Sequence, residues 1–407
     1  MIRPFASVAA LFLAGTACSA QSTPTASGPQ GPQPVGADRP VPANAPVTPG
    51  LRNVPATSGR ANLAPTPPPF AVAEIGHYDE PFGMAFLPDG DLLVTEKAGT
   101  LTLRKVSGDV VKVAGIPPVA RGGQGGLLGV AVAPDFGSSR AIYLSYAEPR
   151  TNGSSLALMR ARFDGTRLAD QRVIWRAGSD GPGGQFGAKI AFSPDGRYLF
   201  LTSGERQRFT PAQDPEQLLG KIVRLTLDGQ AAPGNPFADK GPVQAQIWTS
   251  GHRNPYGILF TPDGRLWEEE MGPKGGDELN LIEPGSNYGW PVVSNGDNYS
   301  GQPIPDHPSR PDLAAPKLWW NPSISPGGMA YYTGTMFPQY RGSLLIGAMS
   351  GQGLARVVVD GATVRAADFW DMGTRIRDVA QAPDGAIWLL EDGERKAGGR
   401  LLRLTPR

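Results

Sequence analysis

Three stretches of the sequence carry side chains whose types and spacing could do chemistry. In Arg375-Ile376-Arg377-Asp378 two arginines lie two residues apart. On a strand both project to one face, which makes either a paired cationic site for a polyanionic ligand or a salt-bridged strand. The second stretch runs from Trp248 to Trp290 and contains Gly251-His-Arg-Asn-Pro-Tyr-Gly257, Glu268-Glu-Glu-Met-Gly-Pro-Lys-Gly-Gly-Asp-Glu278 and Gly285-Ser-Asn-Tyr-Gly-Trp290. An acidic loop rich in Gly and Pro offers carboxylates and turned-out carbonyls, the hard oxygen ligands that calcium prefers, although the spacing is not that of an EF-hand. The run Glu268 to Glu270 reads equally as an exposed strand face. The third stretch, Gly122-Gly-Gln-Gly-Gly-Leu-Leu128, has one polar side chain, Gln124. It lacks the dinucleotide-binding fingerprint and by itself reads as a tight turn.

Elements that could position these stretches repeat along the chain. Met84-Ala-Phe-Leu-Pro-Asp-Gly90 returns as Val130-Ala-Val-Ala-Pro-Asp-Phe136, Ile190-Ala-Phe-Ser-Pro-Asp-Gly196, Ile258-Leu-Phe-Thr-Pro-Asp-Gly264 and Val379-Ala-Gln-Ala-Pro-Asp-Gly385. A weaker copy, Met329-Ala-Tyr-Tyr with Phe337-Pro-Gln, makes six. Each sets an alternating apolar run, a turn and a second alternating run in series. Pro presets φ, Asp bonds its own backbone and Gly takes φ > 0, which is hairpin chemistry. Four-stranded blades repeated radially fit the period, so an all-β, six-bladed β-propeller is expected over residues 70 to 407. Function then belongs on the loops at an end of the central channel.

Composition agrees. Glycine and proline, 54 and 42 of 407 residues, are too frequent for a helical bundle or repeat. With 38 basic against 37 acidic residues there is no global field for nucleic acid, and no nucleic-acid partner is expected. Residues 1–20 read as a signal segment: Arg3, an apolar stretch from Val8 to Leu13, then small residues. The one cysteine, Cys18, stands where a lipoprotein would be lipidated and tethered to a membrane, with cleavage after Ala20 as the alternative. The chain is thus expected to be exported, periplasmic or anchored at the outer membrane. Residues 21–69 hold 13 prolines and no aromatic residue, the signature of a disordered linker.

Taken together, the ordered phrases Gly122-Gly-Gln-Gly-Gly-Leu-Leu, Gly220-Lys-Ile-Val-Arg-Leu, Arg253-Asn-Pro, Gly272-Pro-Lys-Gly-Gly-Asp-Glu-Leu-Asn280, Asn287-Tyr-Gly-Trp-Pro291, Asn298-Tyr-Ser-Gly301 and Arg375-Ile-Arg-Asp-Val379 resemble the PQQ-dependent soluble aldose sugar dehydrogenases, the glucose/sorbosone dehydrogenase family. The resemblance spans about Ala71 to Pro406. It implies a quinoprotein oxidising the anomeric carbon of aldoses to lactones, with PQQ and calcium as cofactors, a small sugar as substrate and an external electron acceptor. By analogy Gln124, Arg253, Asn254, Tyr299, Arg375 and Arg377 contact the quinone. The carbonyls of Gly272 and Pro273 hold its calcium, while Glu278 and the carbonyl of Tyr288 match a further, structural calcium site.

One departure bears on catalysis. The family's catalytic histidine aligns to Gln185, in Gly183-Gly-Gln-Phe-Gly-Ala-Lys189, and a carboxamide cannot take a proton near neutrality. Ser350, Lys189 and Met271 also stand where the family commonly has other residues. The catalytic set on this reading is Gln185, Glu205, Arg253 and Gln124, with Glu205 as the base, directly or through a water ordered by Gln185. The alternatives are a catalytically impaired propeller that binds sugar, quinone or a protein partner, and a calcium-dependent hydrolase.

Overall fold

The computed structural model describes residues 59–393 and 398–407. The signal segment, Cys18 and the linker through residue 58 lie outside the described residues.

Six antiparallel sheets are arranged around one axis. Their innermost strands are Pro81–Phe86, Leu127–Val132, Gly187–Phe192, Pro255–Phe260, Pro326–Tyr332 and Ile376–Gln381, and each packs on the next, with the sixth returning to the first. The expected propeller is the fold. The first blade continues outward through Leu92–Glu96, Thr100–Arg104 and Val110–Lys112. The sixth runs through Ile387–Glu391 and Gly399–Pro406 and takes its outermost strand, Phe70–Tyr78, from the opposite end of the chain. Eight residue pairs from Phe70–Pro406 to Tyr78–Gly399 register that closure.

The turn chemistry operates where glycine completes it. Gly90, Gly196, Gly264 and Gly385 all have positive φ, and Asp195, Asp263 and Asp384 accept hydrogen bonds from Arg197, Arg265 and Ala386 amides at 3.1, 3.3 and 2.9 Å. The second unit has Phe136 in that place. It continues as the short helix Phe136–Ser139 instead, because a phenylalanine does not readily supply the left-handed turn.

All six inner strands carry a bulge in their first residues, seen as register shifts at Pro81/Gly83, Leu127/Val130, Gly187/Ile190, Pro255/Gly257, Pro326/Met329 and Ile376/Asp378. Bulges re-aim side chains beside functional sites. These lie at the end of the ring opposite the Pro-Asp-Gly turns. Gln185, Arg253 and Arg375 all stand in or just before that bulged end.

Two expectations are corrected. Residues 59–69, read as the end of the linker, are ordered against the propeller. Gly59–Arg60 pairs in parallel with Leu318–Trp319 on the fourth blade, and on the fifth the Thr66 amide donates to the Phe369 carbonyl while the Thr66 carbonyl accepts from the Asp371 amide, both at 2.9 Å. Open sheet edges offer backbone partners that do not depend on side-chain composition, so a proline-rich segment can add to them. The second correction concerns Glu268 to Glu270. They form the end of the strand Leu266–Glu270 and are fully buried, because neighbouring blades cover both faces of a propeller sheet.

Glu269 is the most costly of the three. Neither carboxylate oxygen has a hydrogen-bond partner, and a Cβ at Gly257 would lie 2.5 Å from Oε1, so only glycine leaves room. Burial raises its pKa well above the ordinary value; Lys189 opposes this while Asp277, Asp378 and Glu270 reinforce it. A carboxyl held above its unfolded pKa leaves stability intact at acid pH and removes it as pH rises through the folded value. Glu269→Met is therefore expected to raise stability by about 1–3 kcal/mol at pH 8 and by little at pH 4, read as melting temperature against pH.

Candidate active site at the bulged end of the channel

Gln185 sits at the centre of a buried polar cluster. Its φ is 52°, and its backbone amide donates to Gln124 Oε1 at 2.7 Å; Tyr256 Oη donates to the same oxygen at 3.0 Å. The glycine-rich stretch therefore does more than turn the chain, since it delivers Gln124 to the loop carrying Gln185. With its amide nitrogen toward Glu205, Gln185 donates to Glu205 Oε1, and its oxygen accepts from Arg253 Nη2 at 2.8 Å and Nη1 at 3.3 Å.

Glu205 lies behind Gln185 and is 1% exposed. Its Oε2 accepts from the backbone amides of Arg208 and Phe209 at 2.5 Å each. Burial raises the carboxyl above its ordinary pKa, while Arg253 and those amides pull it down. Arg206, also 1% exposed, braces the loop before Gln185. Its guanidinium donates to the carbonyls of Ser154, Gly181 and Gly183 at 3.0, 3.1 and 2.9 Å, and lies over the Phe186 ring, 3.9 Å from its centre.

Arg253 lies across the other side of Gln185. Nη1 donates to the carbonyls of Met271 and Gly272 at 3.0 and 2.7 Å, Nη2 donates to Tyr299 Oη at 3.3 Å, and buried Nε has no partner. Tyr299 itself is 69% exposed, at the rim. Glu270 holds this segment: its Oε2 accepts from the Arg253 and Asn254 amides at 2.5 and 3.1 Å, and Oε1 meets His252 Nδ1 at 3.0 Å. Asn254 Oδ1 accepts from Gly187 N at 3.3 Å, linking Arg253 to the backbone just after Gln185.

Arg375 and Arg377 converge as the spacing predicts, but on a carboxylate of the chain. Arg375 Nε and Arg377 Nη2 donate to the two oxygens of Asp392 at 2.7 and 2.9 Å, and together they lower its pKa against the opposing effect of burial. Of the two readings of the pair, the salt bridge is the one seen, with both arginines held on the single carboxylate of Asp392.

The oxygen-rich region falls into two parts. The Gly272 carbonyl faces a cation already, Arg253, so its oxygen is turned toward positive charge. Pro273 is buried next to it. Deeper, Glu278 Oε1 meets His307 Nε2 at 3.0 Å, and Asn280 Nδ2 bridges Glu268 and Glu278 at 3.0 and 3.2 Å. Glu268 Oε1 and Asn280 Oδ1 are buried and have no partner. His252, Glu268 and Glu270 offer ligand atoms within 4.8 Å of one another, and the His252 ring stacks on Tyr288 at 4.9 Å. A cavity of about 10 Å³, lined by Arg253, Glu270, Gly272, Glu278, Tyr288 and Trp290, lies between the two parts. That is room for one water or one bare ion.

Tyr256, Arg206 and Asp392 were not singled out in the sequence, and Glu270 stood there only as a member of the acidic run, with no role toward Arg253. Only Glu270 and Asp392 had a signal, a carboxylate near an arginine motif that the fold had yet to bring alongside.

The Glucose / Sorbosone dehydrogenase family model matches residues 78–403. The aldose sugar dehydrogenase YliI of Escherichia coli K12 is 38% identical over 342 residues, covering 81% of this chain and 91% of that one. A crystal structure of a glucose dehydrogenase superposes with a TM-score of 0.78 at 41% identity, covering 82% of this chain and 99% of the other. The PQQ-bound aldose sugar dehydrogenase (Adh) of Streptomyces coelicolor gives 0.68 at 30% identity, covering 84% and 99%. With the propeller, the bulged-end cluster and these similarities in hand, the chain belongs to the PQQ-dependent glucose/sorbosone dehydrogenase family of sugar oxidoreductases.

Proposed function

We propose that the protein is an exported quinoprotein that oxidises the anomeric carbon of aldose sugars to lactones, with PQQ and calcium, and passes electrons to an external acceptor. The observation that carries this is the placement of Arg253, with its buried and unpartnered Nε, and the Arg375–Arg377 pair at one end of the channel, with the Gly272 carbonyl turned to Arg253. Arginines in such positions suit the carboxylates of a tricarboxylate quinone, and a carbonyl already facing a cation suits calcium. The orphaned oxygens of Glu268 and Asn280 beside Glu278 fit a second, buried cation that would offset several carboxylates.

The quinone, once bound, supplies the hydride acceptor, with calcium as Lewis acid on its oxygens. What the chain itself must do is hold the sugar and remove the anomeric hydroxyl proton. Gln185 cannot accept that proton, because its carboxamide has no usable basicity. Glu205 is the base in this reading, through a water that takes the place of the Gln185 nitrogen at Oε1, since the side chain has almost no exposure of its own. Its upward-shifted pKa is the direction a general base requires. The test is titration of the protein with PQQ and Ca²⁺, followed by absorbance, alongside dye reduction with a panel of aldoses. Binding with sugar-dependent turnover supports the proposal. Binding without turnover favours the impaired reading, and no binding ends both.

A further inference from the structure

At the end of the ring that carries the Pro-Asp-Gly turns, two clefts of almost equal size, about 440 and 430 Å³, open between adjacent blades. One lies between the sixth and first blades and the other between the third and fourth, diametrically opposite. Their parts correspond. Phe86 and Phe260 each stand two residues before the turn proline of the later blade, and Trp388 and Phe200 occupy matching places on the second strand of the earlier one. The ring pairs Phe86–Trp388 and Phe200–Phe260 meet edge to face at 5.5 and 5.2 Å. Arg403 pairs across from Trp388 as Arg224 does from Phe200.

The difference is in the charges. In the cleft between blades three and four, Arg224 lies over Tyr198 at 4.0 Å and Trp248 at 5.1 Å, so the protein's own cation covers aromatic surface there. Asp195 and Glu283 balance Arg224 and Arg265. In the cleft between blades six and one, Arg403 is drawn instead to Asp384 at 2.7 Å, and no cation stacks on Trp388 among the described residues. Arg104 and Lys105 stand where the other cleft has Ile282 and Glu283, and Lys105 has no acidic partner among the described residues. The indole Nε1 of Trp388 is buried and has no acceptor.

We propose that the cleft between the sixth and first blades binds a small aromatic anion, its ring over Phe86 and Trp388 and its carboxylate or sulfonate toward Lys105 and Arg104. An aromatic floor with no cation stacked on it supplies the affinity for a flat ring, and Arg104 and Lys105 select the anionic group, because the one acid lining the cleft, Asp384, is already held by Arg403. The opposite cleft, with a filled floor and balanced charge, is the built-in control.

Anilinonaphthalene sulfonate is the probe, titrated against the full chain by its own fluorescence and by tryptophan quenching. Lys105→Glu, on an exposed loop, is expected to raise its Kd about tenfold, the loss of one charge-assisted contact. Arg265→Glu in the control cleft leaves it unchanged. Salicylate competes and acetate does not. Equal weakening by the two charge reversals, no effect of Lys105→Glu, or equal competition by acetate would each overturn the proposal.

Discussion

Gln185→His is expected to raise PQQ- and Ca²⁺-dependent dye reduction with aldoses by about a hundredfold, the low end of what a positioned general base contributes. The surroundings are already arranged for an imidazole. The Gln185 nitrogen donates to Glu205 Oε1, and a histidine there places one ring N–H on the same oxygen, leaving the other nitrogen toward the channel. Glu205 then fixes the tautomer and stabilises the imidazolium, instead of receiving the proton itself. The backbone at this position has φ 52°, which histidine tolerates better than a branched residue would. Steady-state kinetics beside a PQQ binding titration provide the check: the rise must appear in turnover with binding little altered. An unchanged rate would mean that residue 185 does not face the reacting hydroxyl.

Glu205→Gln is expected to lower the same activity about a hundredfold in the natural background. The carboxamide oxygen can still accept from the Arg208 and Phe209 amides, so the loop keeps its shape, and Gln185 can turn its amide to meet the new nitrogen. What is lost is a group able to hold a proton. The pH profile separates this from simple disturbance. Glu205 must be ionised to act, so activity climbs as pH rises through its pKa, which burial places above the usual carboxylate range. In Glu205→Gln that acid limb disappears. A variant that keeps both the rate and the limb would remove Glu205 from catalysis.

Why the fold was legible and part of the site was not comes down to distance along the chain. The propeller announces itself because each blade repeats a local instruction, Pro-Asp-Gly between two alternating runs, and local turn chemistry is what a sequence displays most openly. Gln185 and Glu205 could be singled out because they lie in phrases with a family pattern. Asp392, by contrast, meets Arg375 and Arg377 only once the second strand of the sixth blade has folded back beside the first. Glu268 and Glu269 misled in the other direction. A run of three carboxylates normally marks a wet surface, and only the neighbouring blades, which no local pattern reveals, put these side chains indoors. The short pairing of Gly59–Arg60 escaped for a related reason: backbone groups on an open edge recruit a segment whatever its side chains are.

The seam in the sixth blade, with Phe70 opposite Pro406, makes the ring indifferent to where its chain begins. The two ends of the propeller are neighbours across a single ladder, so a short peptide could join them, and fresh termini could be opened at the tip of a turn such as Asp263-Gly264. A circular permutant built this way would keep every strand pair of the six blades, giving up only the added Gly59–Arg60 strand. It would also move the seam out of the blade that supplies Arg375 and Arg377, turning the last step of ring closure into an event remote from the arginine pair.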